Sequence, residues 1–287
     1  MATRLARHLG GEIISADSRQ IYRGMDLGTG KDLLDYTVDG ASVPYHLIDI
    51  IDPMHEFSVY EFQQRFLACI QEITSRKTLP IMVGGTGLYI HCILQRYKML
   101  RIQENPILRE ELSVYDMPSL IERFLKVRPQ AHNRTDLDDR KRLIRAIEIA
   151  ESSALRGKNE QICPEYDCLV LGIRWERSVL RRRIQERLKY RLNAGLIDEV
   201  KRLHESGVTW ERLDTIGLEY RYVSKYLQGQ MDILEMEKKL LTRIQQFAKR
   251  QDTWFRKMER AGIRIHWIAG NDYPALQSAV DQWLSNQ

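Results

Sequence analysis

Leu79-Pro-Ile-Met-Val-Gly-Gly-Thr-Gly87 opens with a short apolar run and stops at a glycine turn carrying one hydroxyl. An unbroken apolar run of this length suits a strand covered on both faces. Two further runs have the same form. Glu12-Ile-Ile-Ser-Ala16 ends at Asp17-Ser18, and Tyr45-His-Leu-Ile-Asp-Ile-Ile51 ends at Asp52-Pro53. Cys168-Leu-Val-Leu-Gly-Ile173 reads as another buried strand, and Ile263-Arg-Ile-His-Trp-Ile268 as a late one at an edge. Before the Leu79 run comes a helix. Ser58-Val-Tyr-Glu61 has the form of a capping box. Val59, Phe62, Phe66, Ile70 and Ile73 then recur every three or four residues, which gives one face to pack on a sheet. Buried strands alternating with such helices predict an α/β fold around a parallel sheet.

Residues 100–165 differ. They hold helical pieces, Pro106, Pro118, Pro129 and Pro164, and no strong strand pattern. This predicts a helical insertion over 100–165 that divides an α/β core made of 1–99 and 166–287. With 287 residues and 43% hydrophobic content, the chain can bury a sizeable core. Its 44 basic and 39 acidic residues are mixed, which argues against wholesale disorder. No apolar run approaches the roughly 20 residues that span a bilayer, and the first residues lack a signal-peptide core. A soluble, cytoplasmic chain is expected. Four cysteines form no CxxC pair, seven histidines no HExxH, and no GxSxG elbow occurs. The net charge of +5 permits a nucleic-acid partner without requiring one.

In open α/β sheets, ligands collect beyond the carboxyl ends of the strands. Three polar groups are expected there: Asp17-Ser18, Asp49 to Asp52, and Gly84-Gly85-Thr86-Gly87. Asp17 could accept a proton or hydrogen bond from a substrate amine. The glycines would let backbone amides approach a phosphate, and Thr86 would add a hydroxyl near a helix N-terminus. The competing reading is that Asp and Gly merely punctuate strand ends. Gly28-Thr-Gly-Lys31 is no phosphate loop. Gly24 lies one residue too far upstream and Lys31 is followed by Asp32, so a solvated turn is expected.

Two helices are basic. Thr135-Asp-Leu-Asp138 resembles a capping box for a helix running to about Glu151. On that helix Leu143, Ile144, Ile147 and Ala150 share one face, with Arg142 and Arg145 on the other. A second helix begins near Glu176 and carries Arg183, Arg187 and Arg191 at i, i+4 spacing. One charged run is usually a solvated face, but two favour a polyanion groove. The segment Gln245 to Arg256 joins Lys249, Arg250 and Arg256 to Phe247, Trp254 and Phe255. Cations bind phosphate and rings stack on unpaired bases, whereas the alternative is a buried aromatic face.

Taken in order, these stretches resemble the tRNA dimethylallyltransferases, also called tRNA isopentenyltransferases. The resemblance lies in Asp17-Ser-Arg-Gln-Ile-Tyr-Arg-Gly-Met-Asp-Leu-Gly-Thr-Gly-Lys31, His46-Leu-Ile-Asp-Ile-Ile-Asp-Pro53 and Gly84-Gly-Thr-Gly-Leu-Tyr89. It continues in Arg142-Leu-Ile-Arg-Ala-Ile-Glu148, near the RxxRALE helix, and Thr215-Ile-Gly-Leu-Glu-Tyr220, near the AIGYKE segment. Ala248-Lys-Arg-Gln-Asp-Thr-Trp-Phe-Arg256 is similar to the AKRQxTWxR segment. The resemblance implies a P-loop-NTPase-like α/β core with a helical tRNA-binding insertion. It implies transfer of a dimethylallyl group from dimethylallyl diphosphate to the exocyclic amine of the adenosine 3′ of the anticodon, in a base extruded into a channel. By the same resemblance Asp17 is the general base and Thr86 sits beside the reacting groups. Asp17, Ser18, Arg19 and Gln20 would contact tRNA. Lys141, Arg142, Leu143, Ile144 and Arg145 would hold the anticodon stem-loop. Lys249, Arg250 and Gln251 would also contact tRNA, with Lys249 and Arg250 reaching the diphosphate. Mg2+ bridging the diphosphate is implied, its protein ligands undefined, and the chain is expected to act as a monomer.

The family begins with a strand and a GxTxxGKT-type P-loop. Met1-Ala-Thr-Arg-Leu-Ala-Arg-His-Leu9 matches the middle of the helix that follows that loop. Residues 1–287 are therefore expected to lack the first strand and the P-loop. Three readings follow. A start lying upstream gives an active transferase. A genuine truncation gives a catalytically impaired tRNA-binding protein. In a different class, the chain is a P-loop-related nucleotide kinase with a basic surface.

Overall fold

The computed structural model describes residues 1–128, 135–155 and 163–286. They form two compact units, Met1–Gln95 with Glu165–Gln287, and Arg96–Pro164.

In the first unit, β1 (Glu12–Ser15) is the middle strand of three. It pairs in parallel with β2 (Tyr45–His46) and with β3 (Pro80–Val83), in the registers Ile13↔Tyr45 and Ile13↔Ile81. A second parallel pair joins β4 (Val170–Arg174) to β5 (Ile265–Ala269), with Val170 opposite Ile265. The α/β fold with a parallel sheet flanked by helices is thus as the sequence pattern predicts. Successive side chains of β1 point to opposite faces. Ile13 packs with Ala6 of α1 (Ala2–Leu9) and with Val43. Both Ile13 and Ile14 are fully buried.

Helix α2 (Val59–Ser75) starts where expected. The Ser58 hydroxyl accepts from the Glu61 amide at 3.1 Å, and Glu61 accepts from the Ser58 amide at 2.9 Å. Its Phe62 stacks at 4.0 Å on Tyr89 of α3 (Gly87–Leu94), the helix that leaves the Gly84–Gly87 turn. Helix α4 (Arg177–Asn193) is capped by the Glu176 carboxylate. With α5 (Leu196–Glu205), α6 (Leu218–Leu227) and α7 (Ile233–Arg260) it encloses a core of Ile184, Leu188, Val200, Tyr220, Met236 and Leu240. Among the described residues, no helix is long and apolar enough to cross a membrane.

The run Tyr45–Ile51 is not one strand. Only Tyr45–His46 joins the ladder, while Leu47 and Asp49 adopt left-handed backbone at φ 62° and 55°. That conformation breaks strand pairing, is tolerable for Asp, and is costly for Leu, whose side chain is buried. Ile51 returns only as an isolated bridge to Tyr22.

The second unit has its own core of Leu112, Leu120, Phe124, Leu143, Ile147 and Ala150. It is contributed by helices Pro106–Ser113, Met117–Val127 and Arg140–Leu155. Thr135–Asp138 is not the cap but a helical turn in itself. The carboxylate that receives the next helix's amide is Asp139, at 2.9 Å from Arg142 N.

Candidate active site

Past the carboxyl end of β1 the chain turns tightly through Asp17–Gln20. Asp17 Oδ1 accepts the Arg19 amide at 2.8 Å. The Gln20 amide also donates to that carboxylate. The Ser18 amide donates to Thr86 Oγ1 at 2.9 Å, and the Thr86 amide to the Ala16 carbonyl at 3.3 Å. Two strand ends separated by 68 residues are thereby tied at one point. Thr86 is thus bonded to the residues on either side of Asp17.

The glycines of the Gly84–Gly87 turn act mainly as spacers here. A Cβ on Gly84 would stand 2.4 Å from the Ala16 carbonyl oxygen, and one on Gly87 would stand 2.6 Å from Trp254. The Gly85 carbonyl accepts from Gln251 Nε2 at 3.0 Å, so α7 is fastened to this turn. Gly84→Ala is therefore expected to lower stability by about 1–3 kcal/mol through backbone displacement. Urea unfolding would show this, and an unchanged midpoint would mean that the two turns part freely.

Asp17 retains some exposed surface yet is surrounded by protein on most sides. Loss of water pushes its carboxyl above the usual range, more strongly than the Arg19 and Gln20 amides and the Arg19 and Arg187 charges lower it. Arg187 from α4, Glu219 from α6 and Tyr89 are within electrostatic reach of it, and Arg191 and Asp32 lie beyond, beside Arg187 and Glu219. Glu219 is also raised, first by burial, while Arg191 and Arg187 oppose the shift and the Asp17 charge adds to it. Arg187 keeps exposed surface, but the protein around it displaces water and, with the Arg191 charge next, lowers its guanidinium from the ordinary value.

The stripe Arg183, Arg187, Arg191 is not one solvated face. Arg183 lies 4.1 Å over the Trp175 ring. Arg187 is exposed, with its charge near Glu219 and Asp32. Arg191 is buried, 3.9 Å from Asp32 and 4.0 Å from Glu219, against Gly30, where a Cβ would overlap it. The sequence pattern assigns no role to Glu219 or Asp32. Their signal is weak, since each is one acidic residue in a turn or helix start.

The Gly28–Lys31 segment is not a solvated turn either. Lys31 is buried and donates to the Tyr22 carbonyl at 2.8 Å, to Asp26 at 2.6 Å and to Asp49. A lysine so saturated has no hydrogen to offer a phosphate, which agrees with rejecting a phosphate loop.

Of the remaining candidate residues, Lys249 and Arg250 are exposed on α7. Arg250 lies 5.7 Å from the ring of the exposed Phe247. Trp254 packs on Gly87, and Phe255 meets Trp267 edge-on at 5.9 Å, so two of the three aromatics are half-buried against the protein. In the second unit Lys141 and Arg142 are exposed, while Leu143 is fully buried and Ile144 packs beside it. Arg145 does not share the free face expected for it. It pairs with the buried Glu148 and donates to the Ile102 carbonyl at 2.8 Å. A buried carboxylate needs such a partner.

A family model described as IPP transferase matches residues 20–258. The chain is 56% identical over 281 residues to "tRNA dimethylallyltransferase 1" of Syntrophus aciditrophicus, covering 98% of this chain and 92% of that protein. It is 54% identical over 280 residues to "tRNA dimethylallyltransferase 2" of Syntrophotalea carbinolica, with the same coverage. Among solved structures, a tRNA isopentenylpyrophosphate transferase from Bacillus halodurans superposes with a TM-score of 0.69 at 32% identity. That match spans 99% of this chain and 90% of the other. A eukaryotic dimethylallyltransferase acting on tRNA shares the fold with a TM-score of 0.79 at 21% identity, over 100% of this chain and 76% of that one.

Proposed function

Because the chain belongs to the IPP transferase family, we propose that it moves a dimethylallyl group from dimethylallyl diphosphate to the exocyclic amine of the adenosine 3′ of the tRNA anticodon. The observation that carries this reading is Asp17, a recessed carboxylate fixed by two amides and tied to Thr86 at the carboxyl end of the sheet. An exocyclic amine that attacks an allylic carbon becomes cationic and must lose a proton. Asp17 accepts that proton, and its raised basicity brings it nearer to the operating pH. The Arg187 charge beside it offsets negative charge at the site and suits an anionic leaving group. Thr86 and Ser18 fix the turn and add hydroxyls at 3.3 Å from each other. Lys249, Arg250, Lys141 and Arg142, all exposed, supply cations for tRNA phosphates.

Among the described residues, no group of three or more His, Cys, Asp or Glu could hold a metal ion. The carboxylates of the site face arginines and amides instead. These residues do not build a magnesium site of their own. Magnesium would enter with the diphosphate, held largely by phosphate oxygens and water.

The acceptor is tested by competition. Unmodified tRNA, tRNA with guanosine 3′ of the anticodon, and free adenosine monophosphate are each offered with labelled dimethylallyl diphosphate. Label is expected in the first alone. Label in the free nucleotide at a matching rate would overturn the tRNA assignment.

Two further outcomes follow from the geometry. Asp17 must be ionised to accept a proton, and its raised pKa moves the acidic limb of kcat/KM above the ordinary aspartate range. A pH profile that stays flat down to that ordinary range would contradict the assignment. Lys141→Ala with Arg142→Ala should weaken tRNA binding and reduce the salt slope by about 0.7–0.9 for each phosphate that these side chains neutralise. An unchanged slope would make these two residues a solvated face.

A further inference from the structure

Glu199 on α5 is buried in a place where nothing apolar explains a carboxylate. Its Oε2 accepts the Asp26 amide at 3.0 Å and the Leu27 amide at 2.7 Å. Its Oε1 accepts the Gly28 amide at 3.0 Å and the Tyr220 hydroxyl at 2.7 Å. Consecutive amides of a turn form a concavity that holds an anion. Here the chain supplies the anion itself. At the far end of the same turn, the Gly30 and Lys31 amides both donate to the Asp26 carbonyl, and the Lys31 ammonium binds Asp26, Asp49 and the Tyr22 carbonyl.

What the clamped turn presents is the Gly30 carbonyl. It accepts from Gln20 Nε2 at 2.9 Å, while Gln20 Oε1 accepts the Ser15 hydroxyl at 3.1 Å. The side-chain amide of Gln20 is thus held at both ends inside the protein. Its backbone amide donates to Asp17. Hydrogen bonds, joined by the short covalent stretches of the Asp26–Gly30 turn and of Gln20 itself, link Glu199 to the Asp17 carboxylate.

We propose that Glu199 is a positioning residue for Asp17, acting through the Asp26–Gly30 turn and the Gln20 side chain. The inference rests on the reading of Asp17 as the base. A carboxylate suits the role because four donors converge on two oxygens. A glutamine would turn an NH2 group toward two of those donors and leave them unpaired. Gln20 becomes a link in the positioning chain, and its amide is not a free group awaiting RNA.

The test compares Glu199→Gln, Tyr220→Phe and Gln20→Ala with the parent protein in two readouts: turnover on tRNA, and amide hydrogen exchange resolved to residues 17–20 and 26–28. Glu199→Gln is expected to lower kcat by about 100-fold while KM for tRNA stays within about threefold, as displacement of a reacting group does. Exchange should quicken in both segments. Tyr220→Phe removes one donor and should move both readouts less, in the same direction. Gln20→Ala should quicken exchange at 17–20 and leave 26–28 protected. The double variant Glu199→Gln with Gln20→Ala should be no slower than the worse single one, because both cut the same chain. A Glu199→Gln protein that loosens only 26–28 and keeps kcat within about twofold would overturn the proposal, as a local clamp would behave so. Should Glu199→Gln not fold, Gln20→Ala with parental exchange at 17–20 is equally decisive against it. Asp17→Asn is assayed in parallel. Parental turnover there overturns the base assignment, whereas the exchange data still decide the positioning chain.

Discussion

Asp17→Asn should reduce single-turnover prenyl transfer by about 100- to 10,000-fold, the range for loss of a general base, while tRNA affinity stays near that of the parent. Asparagine keeps an oxygen to accept the Arg19 amide, now made by Asp17 at 2.8 Å, so the turn is expected to persist. What is lost is the capacity to hold a proton. Stability should move in the opposite direction to activity. The folded-state pKa of Asp17 is raised by burial, so the folded chain binds this proton more tightly than the unfolded chain. Ionisation then costs stability as pH rises from the ordinary aspartate range through the raised value. A neutral Asn escapes that cost, and at neutral pH the variant should melt no lower than the parent. Transfer within tenfold of the parent would remove Asp17 from the mechanism, and a marked fall in melting temperature would mean the turn had collapsed.

Lys31→Met should destabilise the fold by about 3 kcal/mol, the low end for breaking a buried charge network by deleting one partner. The low end applies because the Asp26 side chain is 57% exposed and can be hydrated once released, whereas that of Asp49 is 33% exposed. The Lys31 side chain itself is fully buried. Without the ammonium, the Tyr22 carbonyl loses a donor and the Asp49 side chain loses its cation, while the left-handed Asp49 backbone keeps its bonds to the Gln20 carbonyl and to Arg23. Denaturant unfolding would measure the change. A loss below about 1 kcal/mol would place this network with ordinary surface pairs.

The presence of strands is legible because a parallel strand covered on both faces is apolar throughout. Glu12–Ala16 announces itself in that way, whereas Leu79–Val83 and Cys168–Ile173 carry the same apolar pattern without the burial it suggests: Pro80–Val83 are half-buried, and Cys168 and Ile173 are exposed. Ser58 with Glu61 marks a helix start by local chemistry alone. Tyr45–Ile51 misleads because its apolar residues are buried for another reason. Leu47 and Ile48 reach the core from a left-handed turn, and no alternation of residue types encodes backbone handedness. The site divides in the same manner. Asp17 and Thr86 are legible, since each closes a strand and stands in a motif. Arg191 looks like part of a surface stripe because spacing places it one turn from Arg187. Its burial depends on Gly30, which lies 161 residues away in the chain and leaves the space for it. Arg145 looks free for the same reason, and its partner Glu148 stands out only as part of a motif. Glu199 is silent, because a glutamate in an amphipathic helix is ordinary until the amides it serves are known.

Both the family membership and the site chemistry come to one measurement. Unmodified tRNA is incubated with the protein and dimethylallyl diphosphate, cut with a base-specific nuclease, and its fragments are sequenced by mass spectrometry. The site around Asp17 predicts one dimethylallyl group per tRNA, on the adenosine 3′ of the anticodon, and at least about 100-fold slower modification when Asp17→Asn replaces the parent. Modification at another nucleotide, or equal modification by both proteins, would contradict it.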